Sequence, residues 1–306
     1  MCYSIYRNLE GSHHWIRHEV SGASGWATVI IIILAMIFVT NILTIVTFKR
    51  MRELQLQHYL IICLAVVDLV TVLPALPGAF RYLQGYLVLN NNLCLAIAVS
   101  NHSVFAATTW IHYGICIDKC ISVKKRLMHR QFVTKFKPHR LAACCSATIV
   151  ILMIALILGI TLTGVIKAVF NPTAATCMYA VDLPYVLSTC FIFISLMTAL
   201  VTHVLILCEL GKAGLIRQKR IKGAIKTTLL LVGVYYACWL RYSVYIIWQV
   251  AFPKRHTPRI LEFASVYIAA SNSSTNFFIY LICIKSFSHS LKLILPCKSR
   301  RVHSDP

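Results

Sequence analysis

Seven segments of this chain are long enough and apolar enough to cross a lipid bilayer, and that constrains its fold more than any other feature. They run Trp26 to Phe48, Tyr59 to Tyr82, Leu93 to Ile121, Leu141 to Ile166, Pro184 to Leu210, Ala224 to Ala251 and Ile260 to Ile284. A hydrocarbon core of about 30 Å takes ~20 residues of helix, because a lipid-embedded backbone must satisfy its own hydrogen bonds. The third and sixth segments are the least apolar, since they hold His102, His112 and Asp118, or Lys226 and Arg241. The expected architecture is an all-α membrane protein, a bundle of seven transmembrane helices.

Composition agrees: 58% of the 306 residues are hydrophobic, 13% are charged, and the mean hydropathy is +0.74. A formal charge of +21 in a soluble protein would suggest nucleic acid. Here the side of the membrane on which the basic residues fall matters more than their sum. Of the Lys and Arg residues, 22 fall in the loops after the first, third and fifth spans and in the C-terminal tail, against 7 on the other side, with Arg241 inside a span. The positive-inside rule therefore places the N-terminus outside and the C-terminus in the cytoplasm. The basic loops face either anionic lipid or an acidic cytosolic partner. The chain divides into an extracellular segment, residues 1–25, a transmembrane domain, residues 26–284, and a cytoplasmic remainder, residues 285–306.

Most of the 13 cysteines sit singly in apolar runs and read as small packing residues, and no CxxC pair with zinc spacing occurs. The polar stretch Met1 to Glu19 lacks the apolar core of a secretory signal, so the first span is expected to direct its own insertion. No Ser/His/Asp set or phosphate-cradling glycine loop is present, and the expectation is that the chain is not an enzyme and binds no nucleic acid.

A polar group at membrane depth is costly and usually faces the bundle interior. Asn41 lies mid-span in the first segment, Asp68 in the second, Asn101 and Thr108 in the third, and Asn272, Ser273 and Asn276 in the seventh. One acid among hydroxyls and amides reads either as a site for a small cation or proton, or as a neutral group that only ties helices together.

These residues resemble the rhodopsin-like class of G-protein-coupled receptors over nearly the whole chain. Thr40-Asn41-Ile42-Leu43 stands where that family has its first-helix asparagine, and Leu64-Ala65-Val66-Val67-Asp68 fits its LAxxD. Cys94 and the triplet Asp118-Lys119-Cys120 are spaced like the family's disulfide cysteine and its Asp/Glu-Arg-Tyr, and Cys177 is the partner the resemblance implies for Cys94. Cys238-Trp239 is similar to CWxP, and Asn272 to Tyr280 is similar to NSxxNPxxY. Beyond them, Lys285 to Leu295 reads as an amphipathic helix on the inner leaflet, with Phe287, Leu291 and Leu295 at helical spacing, and Cys297 as a palmitoylation site.

The departures fall on the activation machinery. Lysine (Lys119) replaces the triplet's arginine, Arg241 and Phe277 replace the sixth- and seventh-helix prolines, and in the fifth span Ser195 and His203 stand for a proline and a tyrosine. Lysine keeps the charge without the planar fork, which implies weaker contact with a G protein, and helices without their prolines are expected to kink less. The switch residues implied are Asp118, Lys119, Cys120, His203, Trp239, Asn276 and Tyr280.

The resemblance further implies an outward-facing ligand cavity lined by Asn101, His102 and Phe105 on one side and Trp239, Tyr242 and Tyr245 on the other. Arg241 either pairs there with an anionic ligand group or snorkels outward. Asn101 replaces the aspartate of aminergic relatives and Ala270 the lysine of opsins, which argues against an amine and excludes a retinal Schiff base there. Asn41, Asp68, Thr108, Asn272, Ser273 and Asn276 match the family's allosteric sodium pocket; no other metal or cofactor is implied. The expected protein is a plasma-membrane receptor that carries an extracellular small molecule, lipid or short peptide signal to a heterotrimeric G protein or arrestin. Two other readings stay open, a seven-helix receptor that binds ligand without coupling and a small transporter, though no internal repeat of the transporter kind is found.

Overall fold

The computed structural model describes residues 23–51, 54–83, 91–124, 137–163, 168–171, 176–179, 194, 197–198, 201, 204–205, 219–252 and 258–295. Within them run α1 (Ala23–Lys49), α2 (Leu56–Val70), α3 (Val72–Leu83), α4 (Asn91–Lys124), α5 (Pro138–Leu162), strands β1 (Ala168–Asn171) and β2 (Thr176–Tyr179), α6 (Lys219–Ala251), α7 (Arg259–Cys283) and α8 (Lys285–Ile294). Helices α1, α4, α5, α6 and α7 supply the first, third, fourth, sixth and seventh spans.

The second span, expected as one helix, is two. α2 stops at Val70 and α3 restarts at Val72. Pro74 has no N–H for the Val70 carbonyl and its ring crowds that carbonyl, so the ladder breaks there. Thr71 closes the end of α2 by donating its backbone N–H and its Oγ1 hydroxyl to the Asp68 carbonyl, the latter at 2.5 Å. α6 and α7, which lack the expected family prolines, are each unbroken.

Of the fifth span, Ile194, Met197, Thr198, Val201, Val204 and Leu205 are described, all helical and exposed. Their three- and four-residue spacing marks one face of a helix, and in a membrane an exposed apolar face is a lipid face. Thr198 returns its hydroxyl to the Ile194 carbonyl at 2.9 Å, as Thr40, Thr44 and Ser265 do to carbonyls one turn back. Such bonds satisfy hydroxyls where no water is available.

α1 packs on α2, α3, α7 and α8, α4 packs on α2 and α5, and α6 lies along α7. The buried stripe of α1 is Ala27, Ile30, Leu34, Ile37, Asn41, Thr44 and Phe48, while Val29, Ile32, Met36 and Val39 are exposed. Three apolar clusters result. One fills the end of the bundle that holds α8, from Phe48 and Leu60 to Ile115, Leu231 and Tyr280. Two fill the other end, around Cys94 and Tyr242 and around Ile30 and Phe263. The polar residues lie between these ends.

After α7 the chain turns through 104° into α8. Phe287, fully buried, anchors that helix against Phe48 at 4.9 Å, Phe277 at 5.8 Å and Tyr280 at 6.0 Å. Leu291 is buried as expected, but Leu295 lies past the helix end and is 53% exposed, so it is not part of the buried stripe.

Candidate functional site

At the end of the bundle away from α8, β1 and β2 pair antiparallel, with Phe170 opposite Cys177. A disulfide joins Cys177 to Cys94 in the first turn of α4, with Cα atoms 5.2 Å apart. Asn101, two turns further along α4, donates its amide to Thr176 Oγ1 at 3.1 Å and to the Cys177 carbonyl at 3.5 Å. The hairpin is thereby held as a roof at two points on one helix.

Beneath it lies a cavity of about 170 Å³. Five of the expected ligand residues line it: Asn101, His102, Phe105, Trp239 and Tyr242. Two do not. Tyr245 donates its hydroxyl to Glu262 Oε1 on α7 at 2.6 Å, and Arg241 is exposed on the outer side of α6. Residues the sequence did not single out complete the walls: Thr176, Met178 and Tyr179 of the hairpin, Leu34 and Ile37 of α1, and Tyr267 and Ala269 of α7. A hairpin that folds back over helices through a distant disulfide leaves no local pattern from which its lining residues can be read.

On the cavity wall Phe105 and Trp239 stack with ring centroids 3.8 Å apart. Four residues before Trp239 on α6, Tyr235 carries the aromatic column inward, 5.9 Å from Trp239 and 4.7 Å from His112. Its hydroxyl lies 2.5 Å from Thr109 Oγ1, which joins α6 to α4. Sequence reasoning missed Tyr235 and Thr109, although a one-turn offset from Trp239 places Tyr235 on the same helix face.

Thr108, Asn272 and Ser273 belong to the cavity wall and also to the polar cluster below it. Asp68 is fully buried there. It accepts hydrogen bonds from Thr108 Oγ1 at 3.5 Å and Asn276 Nδ2 at 3.4 Å. Asn41 donates to the carbonyls of Ile37 at 2.8 Å and Ser273 at 3.2 Å, tying α1 to α7. All six residues expected for a sodium pocket are buried together, and the amide oxygens of Asn272 and Asn276 meet no donor. The buried carboxylate, with its long hydrogen bonds from Thr108 and Asn276, stands among hydroxyl and amide groups, the all-oxygen chemistry that a hard cation takes. Among the described residues no group of three or more His, Cys, Asp or Glu side chains is placed to hold a metal ion.

Of the expected switch residues, Trp239 lines the cavity, Asn276 bonds Asp68, and Tyr280 is buried against Phe48 at 5.7 Å. Asp118 is buried in the last turns of α4. The side chains of Lys119 and Cys120, and all of Ser195, His203 and Cys297, lie outside the described residues.

Residues 40–280 match the family model of the seven-transmembrane receptors of the rhodopsin family. Among curated proteins, the chain is similar to melanocortin receptor 4 of Danio rerio, 23% identical over 234 residues that cover 70% of this chain and 65% of the relative. The match thus spans slightly less than two thirds of that receptor's length.

Proposed function

Because the chain belongs to the rhodopsin family of seven-transmembrane receptors and is a multi-pass membrane protein with a receptor's role, we propose that it carries binding in the roofed cavity to a G protein at the opposite face. The N-terminus and the hairpin are then extracellular, the membrane is the plasma membrane, and α8 lies on the cytoplasmic leaflet, in line with the basic loops. The chain acts by binding and movement rather than by catalysis. Arrestin is a second cytoplasmic partner.

The observation that carries this reading is the shared wall. Thr108, Asn272 and Ser273 face the cavity, and Thr108 and Ser273 also hydrogen-bond Asp68. A ligand that presses on Phe105 and Trp239 therefore acts on the same helices that hold the carboxylate. We assign Asp68, Asn41, Thr108, Asn272, Ser273 and Asn276 to a sodium ion that favours the resting state. Ligand and sodium then oppose one another by linkage, each weakening the other by the same factor. Rearrangement along the Trp239, Tyr235 and Thr109 column releases the inner end of α6 toward the partner.

Basal G-protein dissociation in cells that express the chain at the surface tests this, beside the Lys119→Arg and Asp68→Asn variants. Signal from the native chain supports coupling. Signal from Lys119→Arg alone supports a receptor weakened at that residue. Silence from all three, with surface expression intact, removes the coupling reading and favours a receptor that binds without signalling. Phe277 favours that second reading: it fills the place of a proline and packs on Phe278 and Phe287 within an unbroken α7.

A further inference from the structure

We infer that the ligand of this receptor is a compact, uncharged molecule with a flat apolar body and a single neutral polar group, and not an amine or a carboxylate. This rests on the reading of the roofed cavity as the ligand site.

Charge comes first. Among the described residues that line the cavity there is no Lys, Arg, Asp or Glu. Of the ionisable groups on or near the wall, His102 packs edge-on against Phe105 and Tyr179, Asp68 lies behind Thr108 and Ser273 with hydrogen bonds on both oxygens, Glu262 accepts from Tyr245, and Arg241 is exposed. A ligand that brought a formal charge into this space would lose its hydration without gaining a counter-ion.

Shape and size follow from the walls. Phe105, Trp239, Tyr242, Tyr267 and Tyr179 give aromatic faces on several sides, and the volume is about 170 Å³. β2 crosses the top, fixed by the Cys94–Cys177 bond and by Asn101. A fused-ring body fits between offset aromatic planes. Asn101 spends its amide hydrogens on the hairpin, so the polar demand at the roof is already met. The Asn272 amide oxygen, which meets no donor, supplies an acceptor for one neutral hydrogen-bonding group lower in the cavity.

Three probes with one ring system separate the possibilities: 2-naphthalenemethanol, 2-naphthoate and 2-naphthylmethylammonium. Each is titrated against the whole chain in phosphatidylcholine nanodiscs, with binding read from the shift in thermal unfolding. Ala270→Leu, which fills a half-buried wall position, and Met178→Ala, which enlarges the space under the hairpin, are run alongside. The alcohol is expected to bind at least about tenfold more tightly than either ion, with Ala270→Leu weakening it about tenfold and Met178→Ala preserving it. Tighter or equal binding of an ion that remains sensitive to Ala270→Leu overturns the uncharged class but keeps the cavity as the ligand site. No response to any probe, or responses that neither variant alters, overturns the cavity assignment itself.

Discussion

The hydroxyls of Thr109 and Tyr235 stand 2.5 Å apart and join the middle of α4 to the middle of α6. Tyr235 is fully buried and stacks toward Trp239 on the cavity wall. The bond therefore ties α6 to α4 one turn from the cavity wall.

Tyr235→Phe keeps the ring and removes the bond. Interhelical hydrogen bonds in membranes average about 0.6 kcal/mol, which corresponds to roughly a threefold change in an equilibrium. Basal G-protein dissociation is expected to rise by about that factor, with Thr109→Val having a similar effect and the double variant adding little. Additive effects in the double-mutant cycle would show that the two hydroxyls act separately.

Sodium is expected to stabilise the native chain. At ten times its dissociation constant a ligand adds about 1.4 kcal/mol of stability. Exchanging choline for sodium at constant ionic strength should raise the unfolding temperature of the native chain and leave Asp68→Asn unmoved. Equal responses would mean that the ion acts on lipid or surface charge instead.

Cys94 and Cys177 are 83 residues apart in sequence. Replacing either with serine removes the same bond, so Cys94→Ser and Cys177→Ser should lower thermal stability equally and the double variant no further. Protease protection of the loops should stay native in all three, since insertion depends on the hydrophobic spans and not on the roof. A double variant that falls well below either single one would show that the cysteines contribute independently.

Phe287 fixes α8 through Phe48, Phe277 and Tyr280. Phe287→Ala leaves a void that core substitutions of this kind price at about 3–5 kcal/mol. A nitroxide at the exposed His289 should become mobile in that variant. The same label should be unaffected by Leu295→Ser, because Leu295 is largely exposed.

Much of the site was readable before the fold. Asn41, Asp68, Thr108, Asn272, Ser273 and Asn276 stand out as polar residues inside apolar spans, and they meet because the membrane gives such groups nowhere else to go. Asn101, His102, Phe105, Trp239 and Tyr242 line the cavity. Tyr245, one turn from Arg241 and three residues after Tyr242, does not, because Glu262 from another helix takes its hydroxyl. Nothing within α6 announces that partner.

What the sequence by itself determined is insertion. About twenty apolar residues match one bilayer thickness, and that property belongs to short stretches of chain. What only the tertiary structure decided is which face of each helix turns inward. From Val29 to Val39 α1 is apolar all round, yet it buries Ile30, Leu34 and Ile37 and leaves Val29, Ile32 and Met36 outside. Lipid is as apolar as a leucine side chain, so no transfer energy selects the inner face. That choice falls to close packing and to hydrogen bonds such as Asn41 to Ser273 and Asn101 to Thr176, made between residues far apart in sequence.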